Sequence, residues 1–138
     1  MAAHDEYGKR VLRETAGNAV VVHYGSSVEI NYGTTHPARI DATVGNDIAV
    51  EVESRTSKQV RGAVLDLICH PYPKKLLLLL PVHMSNPVIA AEQCRHILKR
   101  FCPDQFFRVV LLQGSGGNPQ LAVDTALVAE SLRSLGVL

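Results

Sequence analysis

Residues 38–53 have the sequence ARIDATVGNDIAVEVE, in which apolar and polar side chains alternate on both sides of a short turn at residues 45–47. Alternation of this kind is typical of strands with one buried face, and the turn residues predict a β-hairpin. A three-residue turn pairs apolar side chains on one face: Val44 with Ile48, Ala42 with Val50, and Ile40 with Val52. A turn of two or four residues would shift the pairing by one and bring charge into that face. The pattern therefore predicts the three-residue turn.

The opposite face of the same hairpin collects acidic side chains. The predicted register places Asp41 directly opposite Glu51, with Glu53 two residues further along, and Cβ atoms of facing residues lie about 4.5–5.5 Å apart. Like charges that face each other are destabilising unless a cation lies between them. One candidate is Mg²⁺ or Mn²⁺, because hard carboxylate oxygens suit these ions. The other is a pair of arginines, Arg39 opposite Glu53 and Arg55, forming surface ion pairs of little consequence.

The remaining patterns predict an α/β domain in which helices and strands alternate. Helical spacing of apolar residues occurs at residues 5–16, 56–69, 87–100 and 119–135. Extended patterns occur at residues 19–23, 38–44, 47–53, 74–82 and 107–112, with a further candidate at residues 28–32. The run KKLLLLLPV at residues 74–82 is apolar on both faces, which is typical of a central strand covered by helices on each side. We therefore expect a three-layer α/β domain around one mixed sheet, in the order αβββαβαβα.

The composition indicates one globular domain spanning residues 1–138. With 14 basic and 13 acidic residues the net charge is +1, so contacts with a polyanion must come from local patches. The chain starts without an apolar signal core and its longest apolar run, residues 76–80, is too short to span a bilayer, so we expect a cytoplasmic protein without a membrane partner.

The three cysteines form no CxxC pair, which suits a reducing compartment. A zinc site is an alternative use of four residues, Cys69, His70, Cys94 and His96, although cysteines in apolar helices usually behave as buried hydrophobes.

A known family shares the arrangement around the hairpin. The run RID at residues 39–41, a turn, the run EVE at residues 51–53 and a helix bearing Lys58, Gln59 and Arg61 together resemble the PD-(D/E)XK nuclease superfamily. That superfamily includes restriction endonuclease-like and Holliday junction resolvase-like enzymes, and the resemblance covers residues 1–82. It implies a three-layer restriction endonuclease-like fold, with a mixed central sheet flanked by helices.

The resemblance implies a metal-dependent endonuclease that hydrolyses DNA phosphodiester bonds. By this resemblance Asp41 and Glu51 bind Mg²⁺ or Mn²⁺, and Glu14 in the first helix is similar to an acidic helical residue that some members add to the site. The ion would polarise the scissile phosphate and lower the pKa of an attacking water. Gln59 and Arg61 would orient or contact the phosphate from the helix.

One residue departs from the family at a chemically important position, because Glu53 stands where the family has its lysine. Some restriction enzymes resemble this arrangement, with the acidic residue acting as a base or as a further metal ligand. Alternatively, Lys58 reaches in from the helix and supplies the missing cation, or the site is inactive and the fold is used for binding. Arg55 and Lys58 would also extend the phosphate contact, since both side-chain types suit phosphate oxygens.

Two further features add candidates. His36, next to Pro37, could reach the site as an acid or a DNA contact, and Arg39 is another candidate DNA contact; a turn histidine is also commonly just solvated. Residues 113–118, QGSGGN, lie between a strand and a helix, where backbone N–H groups can hold a phosphate, although the pattern lacks the Lys-Ser/Thr of a P-loop. This loop supports the alternative function, a small Rossmann-like binding or regulatory module.

The length of the chain limits how the protein could act on DNA. From a length of 138 residues we expect no separate DNA-reading domain. Cutting both strands takes two sites, so we expect a homodimer or a subunit of a larger complex. Residues 107–138 carry few charges and offer an apolar surface for that association.

Overall fold

The structure is a computed structural model that describes residues 3–25, 29–30, 32–33 and 37–138. Its helices are α1 (Ala3–Ala16), α2 (Ser57–Cys69), α3 (Pro87–Leu98) and α4 (Leu121–Ser134). Its strands are β1 (Val22–Tyr24), β2 (Glu29–Ile30), β3 (Ala38–Arg39), β4 (Ala42–Val44), β5 (Ile48–Glu53), β6 (Lys74–Leu79) and β7 (Phe107–Leu111). Among the residues described, no helix is long and apolar enough to cross a membrane.

Five strands form one mixed sheet in the order β1-β4-β5-β6-β7. The first three are antiparallel neighbours, and β6 is parallel to both β5 and β7. An α/β chain with a mixed sheet is thereby confirmed, and β6 lies in the interior of the sheet, as its two-sided apolar sequence predicts. Strand β2 lies within the further candidate at residues 28–32, and β3 is the first part of the predicted strand 38–44; the two pair with each other in a separate two-stranded sheet.

Helices cover both faces of the large sheet. Successive side chains of a strand point to opposite faces, so the leucines of β6 pack against helices on each side. Leu77 and Leu79 of β6 pack in a core with residues of α2 and α3. Leu76, Leu78 and Leu80 pack in a second core with residues of α1 and α4. Strand β5 lies beside β6 and is buried along its whole length in the same way.

The hairpin formed by β4 and β5 keeps the predicted three-residue turn and two of the predicted pairs, Val44 with Ile48 and Ala42 with Val50. The third predicted pair, Ile40 with Val52, is wrong. Ile40 precedes β4 and packs in the core under α2 and α3, whereas Val52 packs in the core on the other face. The reason is Asp41, whose carboxylate accepts the N–H of Val52 and takes the place of the main-chain ladder.

The acidic face of this hairpin is buried, so the expectation of an exposed face is wrong. Glu51 is only 7% exposed and Glu53 only 3%, because α2 and α3 pack over this side of the sheet. Asp41, at the point where the chain enters β4, is half-buried. The carboxylates therefore lie in a region where an uncompensated charge is costly.

Candidate metal centre

Asp41 and Glu51 form a mutually bonded pair of carboxylates. The backbone N–H of Asp41 donates to Oε1 of Glu51 over 2.9 Å, and the N–H of Val52 donates to Oδ2 of Asp41 over 2.7 Å. The carbonyl of Asp41 accepts from the N–H of Gly25 at 2.9 Å, which ties the same residue to the end of β1. Each carboxylate is thus fixed through one oxygen by the main chain of the hairpin, as the predicted placement of Asp41 opposite Glu51 requires.

The electrostatics of this Asp41–Glu51 pair are unfavourable for two negative charges. Burial raises the pKa of Glu51 to about 9, and the charges of Asp41, Asp66 and Glu53 act in the same direction against the bond from the Asp41 amide. Burial also raises the pKa of Asp41, opposed by the Val52 N–H and by the charge of Lys9. With the protein alone, Glu51 therefore carries a proton at neutral pH.

The donor atoms of the pair suit a hard divalent cation. Asp41 Oδ1 and Glu51 Oε2 accept no hydrogen bond from the described residues, so one oxygen of each carboxylate is available. Within residues 3–25, 29–30, 32–33 and 37–138, no three His, Cys, Asp or Glu side chains are grouped to hold a metal. Mg²⁺ usually takes one or two carboxylates and keeps several waters, so a pair is sufficient for this ion.

Glu53 departs from the prediction that three carboxylates converge. Arg55 holds both of its oxygens, with Nε donating to Oε2 over 2.9 Å and Nη2 donating to Oε1 over 2.7 Å. The backbone N–H of Arg55 adds a third bond, also to Oε2 at 2.9 Å. Arg55 therefore neutralises Glu53, as the arginine alternative predicts. Its guanidinium lies beside the Asp41–Glu51 pair and not between its members.

The candidate phosphate contacts on α2 point to other partners. Gln59 accepts a hydrogen bond from the Thr56 hydroxyl in the first turn of the helix. Arg61 lines a groove of about 1080 Å³ between α2 and α3, together with Leu65 and Phe101. Lys58 is exposed and has no recorded ion pair among the described residues. The structure therefore brings neither Gln59 nor Arg61 to the carboxylates, because both follow the solvent side of α2.

The two candidates before the hairpin have different outcomes. Arg39 bonds to Glu29 through Nη2 at 2.6 Å, across the small β2-β3 sheet. It does not face Glu53 as the sequence register predicted, because the chain leaves the large sheet before Asp41. His36 lies outside the described residues.

Helix α1 contributes Asp5 to this region in place of the predicted Glu14. The Ser54 hydroxyl at the end of β5 donates to Oδ1 of Asp5 over 2.9 Å. Glu14 is nine residues further along α1, which places it about 14 Å away on the opposite side of the helix. There it lines a shallow depression with Leu121 and Thr125 of α4. The structure therefore places Glu14 away from the Asp41–Glu51 pair, which does not support its predicted role as a metal ligand.

Two residues that were not predicted as part of the carboxylate site also act on it. Lys9 acts on Asp41 by its charge, and Asp66 of α2 acts on Glu51. The carboxylate of Asp66 accepts a hydrogen bond from the Tyr32 hydroxyl. Burial is the main cause that raises the pKa of Tyr32, and this bond raises it further. For Lys9, the neighbouring Gly8 was a weak sequence signal, since a glycine inside a helical pattern lowers helix propensity and can be present for packing.

The alternative sites are not assembled. Burial raises the pKa of the Cys94 thiol to about 11, which opposes the thiolate form that zinc binds, and His96 is exposed. In the loop at residues 113–118, the N–H groups of Gln113 and Gly114 donate to the carboxylate of Asp124 over 2.7 and 2.9 Å. These amides are already satisfied within the chain, so they do not form a phosphate cradle.

No family model, curated protein or solved structure matches this chain. Function is therefore inferred from the residues of the site, above all from the Asp41–Glu51 pair and the charges around it.

Proposed function

We propose that the chain is a divalent-metal-dependent nuclease that hydrolyses phosphodiester bonds of DNA, with Asp41 and Glu51 as the metal ligands. One observation carries this proposal: two carboxylates are held together in a largely buried position, and no basic side chain of the described residues is ion-paired with either. Burial disfavours the charged form of both carboxylates, so a bound divalent cation would offset a cost that the protein alone avoids by keeping Glu51 protonated.

The chemistry of the pair supports Mg²⁺ or Mn²⁺ as that cation. When bound, such an ion would polarise a phosphate oxygen and lower the pKa of a water. The protein's own part is to fix Asp41 and Glu51 through main-chain bonds and to hold the Glu51 carboxylate in a state that gives up its proton when a cation approaches. Preorganised ligands of this kind cost little reorganisation when the ion binds.

The strand arrangement supports the resemblance to PD-(D/E)XK nucleases. Asp41 directly precedes β4 and Glu51 lies in β5, within an antiparallel meander that is followed by a helix and a parallel strand. The same order of elements carries the resemblance in the sequence. The order of the strands and helices and the chemistry of the Asp41–Glu51 pair therefore support the same function, a nuclease.

Arg55 is the predicted phosphate contact that lies beside the Asp41–Glu51 pair. Its side chain is 66% exposed although Nε and Nη2 are bonded to Glu53, and Nη1 donates no hydrogen bond to a described residue. Arginine suits phosphate oxygens, and an arginine fixed by a buried carboxylate is already oriented for binding. In this proposal Glu53 orients Arg55 and is not a metal ligand.

The experiment is cleavage of circular and branched DNA in Mg²⁺, Mn²⁺ or EDTA. The wild-type protein is compared with Asp41→Asn, with Glu51→Gln, and with Glu92→Gln, which removes an exposed carboxylate of α3. We expect metal-dependent cutting that falls at least about 100-fold in the two site variants and is unchanged in Glu92→Gln. Equal cutting by all variants, or no cutting by the folded wild-type protein in either metal, would contradict the proposal.

Cutting a duplex on both strands takes two such sites, so we propose that the active form is a homodimer or part of a larger complex. Sedimentation of the protein with and without duplex DNA measures this directly. A strictly monomeric protein that nicks only one strand at a time is the contrary result.

A further inference from the structure

Helix α1 lies against the carboxyl end of β5 at unusually short range. A Cβ atom on Gly8 would lie 2.4 Å from Cγ1 of Val52, so only glycine fits at this point of the helix. One turn earlier, Asp5 accepts the hydroxyl of Ser54, the residue after β5. These two contacts fix how α1 faces the strand that carries Glu51.

Lys9 is placed near Asp41 by the same contacts, and its charge acts on the Asp41 carboxylate. It follows Gly8 in the chain and stands four residues after Asp5, so Asp5 and Lys9 share one side of α1. The neighbour of Gly8 is Val52, and the N–H of Val52 is bonded to the Asp41 carboxylate. The side chain of Lys9 is half-buried.

The other nearby cations are already held by carboxylates. Arg55 is bonded to Glu53 through two side-chain nitrogens, and Arg39 is bonded to Glu29. Lys9 has no recorded ion pair among the described residues. Its ammonium is thus a positive charge near Asp41 that forms no ion pair with a described carboxylate, so it is available to an anionic substrate.

We propose that Lys9 binds a phosphate of the nucleic-acid substrate next to the Asp41–Glu51 pair. This inference rests on the proposed function and adds a residue from α1, outside the hairpin and α2. An ammonium on a flexible stem is a common phosphate-binding group, and it needs no fixed fork geometry to reach an oxygen. Lys9 and Arg55 would then hold the phosphate from two elements, while Asp41 and Glu51 hold the ion.

The test compares Lys9→Met, Lys9→Arg and the matched variant Lys99→Met, which removes an exposed charge at the end of α3. Methionine retains most of the apolar stem of lysine, and circular dichroism melting checks that each variant is folded. One measurement is DNA cleavage in Mn²⁺. The other is binding of a short fluorescein-labelled duplex by anisotropy in Ca²⁺, over a range of salt concentrations.

We expect Lys9→Met to bind the duplex about tenfold more weakly or worse. We also expect the slope of log affinity against log salt to fall by about 0.9, the loss of one phosphate contact. Lys9→Arg should recover most of the binding, and Lys99→Met should behave as the wild type. Cleavage by Lys9→Met should fall by at least the same factor as binding.

Two arms separate this inference from the proposed function. Wild-type affinity and slope in Lys9→Met overturn the role of Lys9, even when the wild-type protein cleaves DNA in a metal-dependent manner. A wild-type protein that binds DNA through Lys9 but does not cleave it supports the phosphate contact and overturns the nuclease. A folded wild-type protein that neither binds nor cleaves overturns both.

Discussion

Glu51 is the residue whose protonation links the fold to the proposed chemistry. Its pKa in the folded protein, about 9, lies above the ordinary value of 4.5 mainly because of burial, and secondly because of Asp41. The folded state therefore holds a proton that the unfolded state releases between these two values. As pH rises from about 4.5 to about 9, this residue progressively destabilises the protein, by roughly 3 kcal/mol at pH 7.

Replacing Glu51 by Gln removes this titration and keeps an oxygen for the Asp41 amide. We expect Glu51→Gln to be more stable than the wild type by about 3–5 kcal/mol at pH 8 in EDTA, with the difference shrinking toward pH 5. Urea unfolding at the two pH values measures this. Glu92→Gln, an exposed control, should change stability by no more than about 0.5 kcal/mol at either pH. A pH-independent difference for Glu51→Gln would show that the carboxyl is not strained in the folded state.

At this scale, the sequence predicted the pairing of Asp41 with Glu51 but not the partners of the surrounding charges. Alternation along two strands sets which residues face each other, and it has only two solutions. The position of Lys9 depends on how α1 packs across the sheet, 32 residues before Asp41 in the chain, and local patterns hold no information on that. Arg55 follows Glu53 by only two residues, but an arginine side chain has many rotamers, and the sequence does not indicate which one it adopts.

Helix α1 is the element that joins the candidate centre to the second core, and its closest contact is at Gly8. We expect Gly8→Ala to cost about 1–3 kcal/mol, because the added methyl overlaps Val52 and also lies 3.3 Å from Leu80. The same substitution at Gly62, in α2, meets nothing within 4 Å and should stabilise by about 0.5–1 kcal/mol through helix propensity. Chemical denaturation of both variants provides the comparison. Equal stabilisation by both alanines would mean that α1 is not held close to β5.

The strand 38–44 shows why element boundaries were harder to predict than element types. Its sequence alternates without interruption, so it predicts one strand. In the structure it is divided into β3 and β4, because the Asp41 side chain replaces a main-chain bond and releases Ile40 to the other face. A polar side chain that competes with the backbone for an N–H is the physical cause, and it lies at the candidate site.

For the molecule as a whole, a single buried carboxylate joins α1, α4 and the loop after β7. Asp124 is fully buried and accepts from the hydroxyl of Tyr7 at 2.5 Å as well as from the amides of Gln113 and Gly114. We expect Asp124→Ala to cost about 3–5 kcal/mol, because three donors, two of them in buried bonds, lose their acceptor. Thermal unfolding measures the loss, and Asp104→Ala, at an exposed carboxylate, should stay within about 0.5 kcal/mol of the wild type. A loss below about 1 kcal/mol for Asp124→Ala would mean that water can replace this network.

The central claim, that the Asp41–Glu51 pair binds a divalent cation, is tested most directly by calorimetry of Mn²⁺ binding at pH 7.5 in two buffers of different ionisation enthalpy. We predict one ion per chain and the release of about one proton, since Glu51 must lose its proton to become a ligand. Both signals should disappear in Asp41→Asn and Glu51→Gln and persist in Glu92→Gln. An absence of binding to the folded wild-type protein, or binding that survives both site substitutions, would contradict the claim.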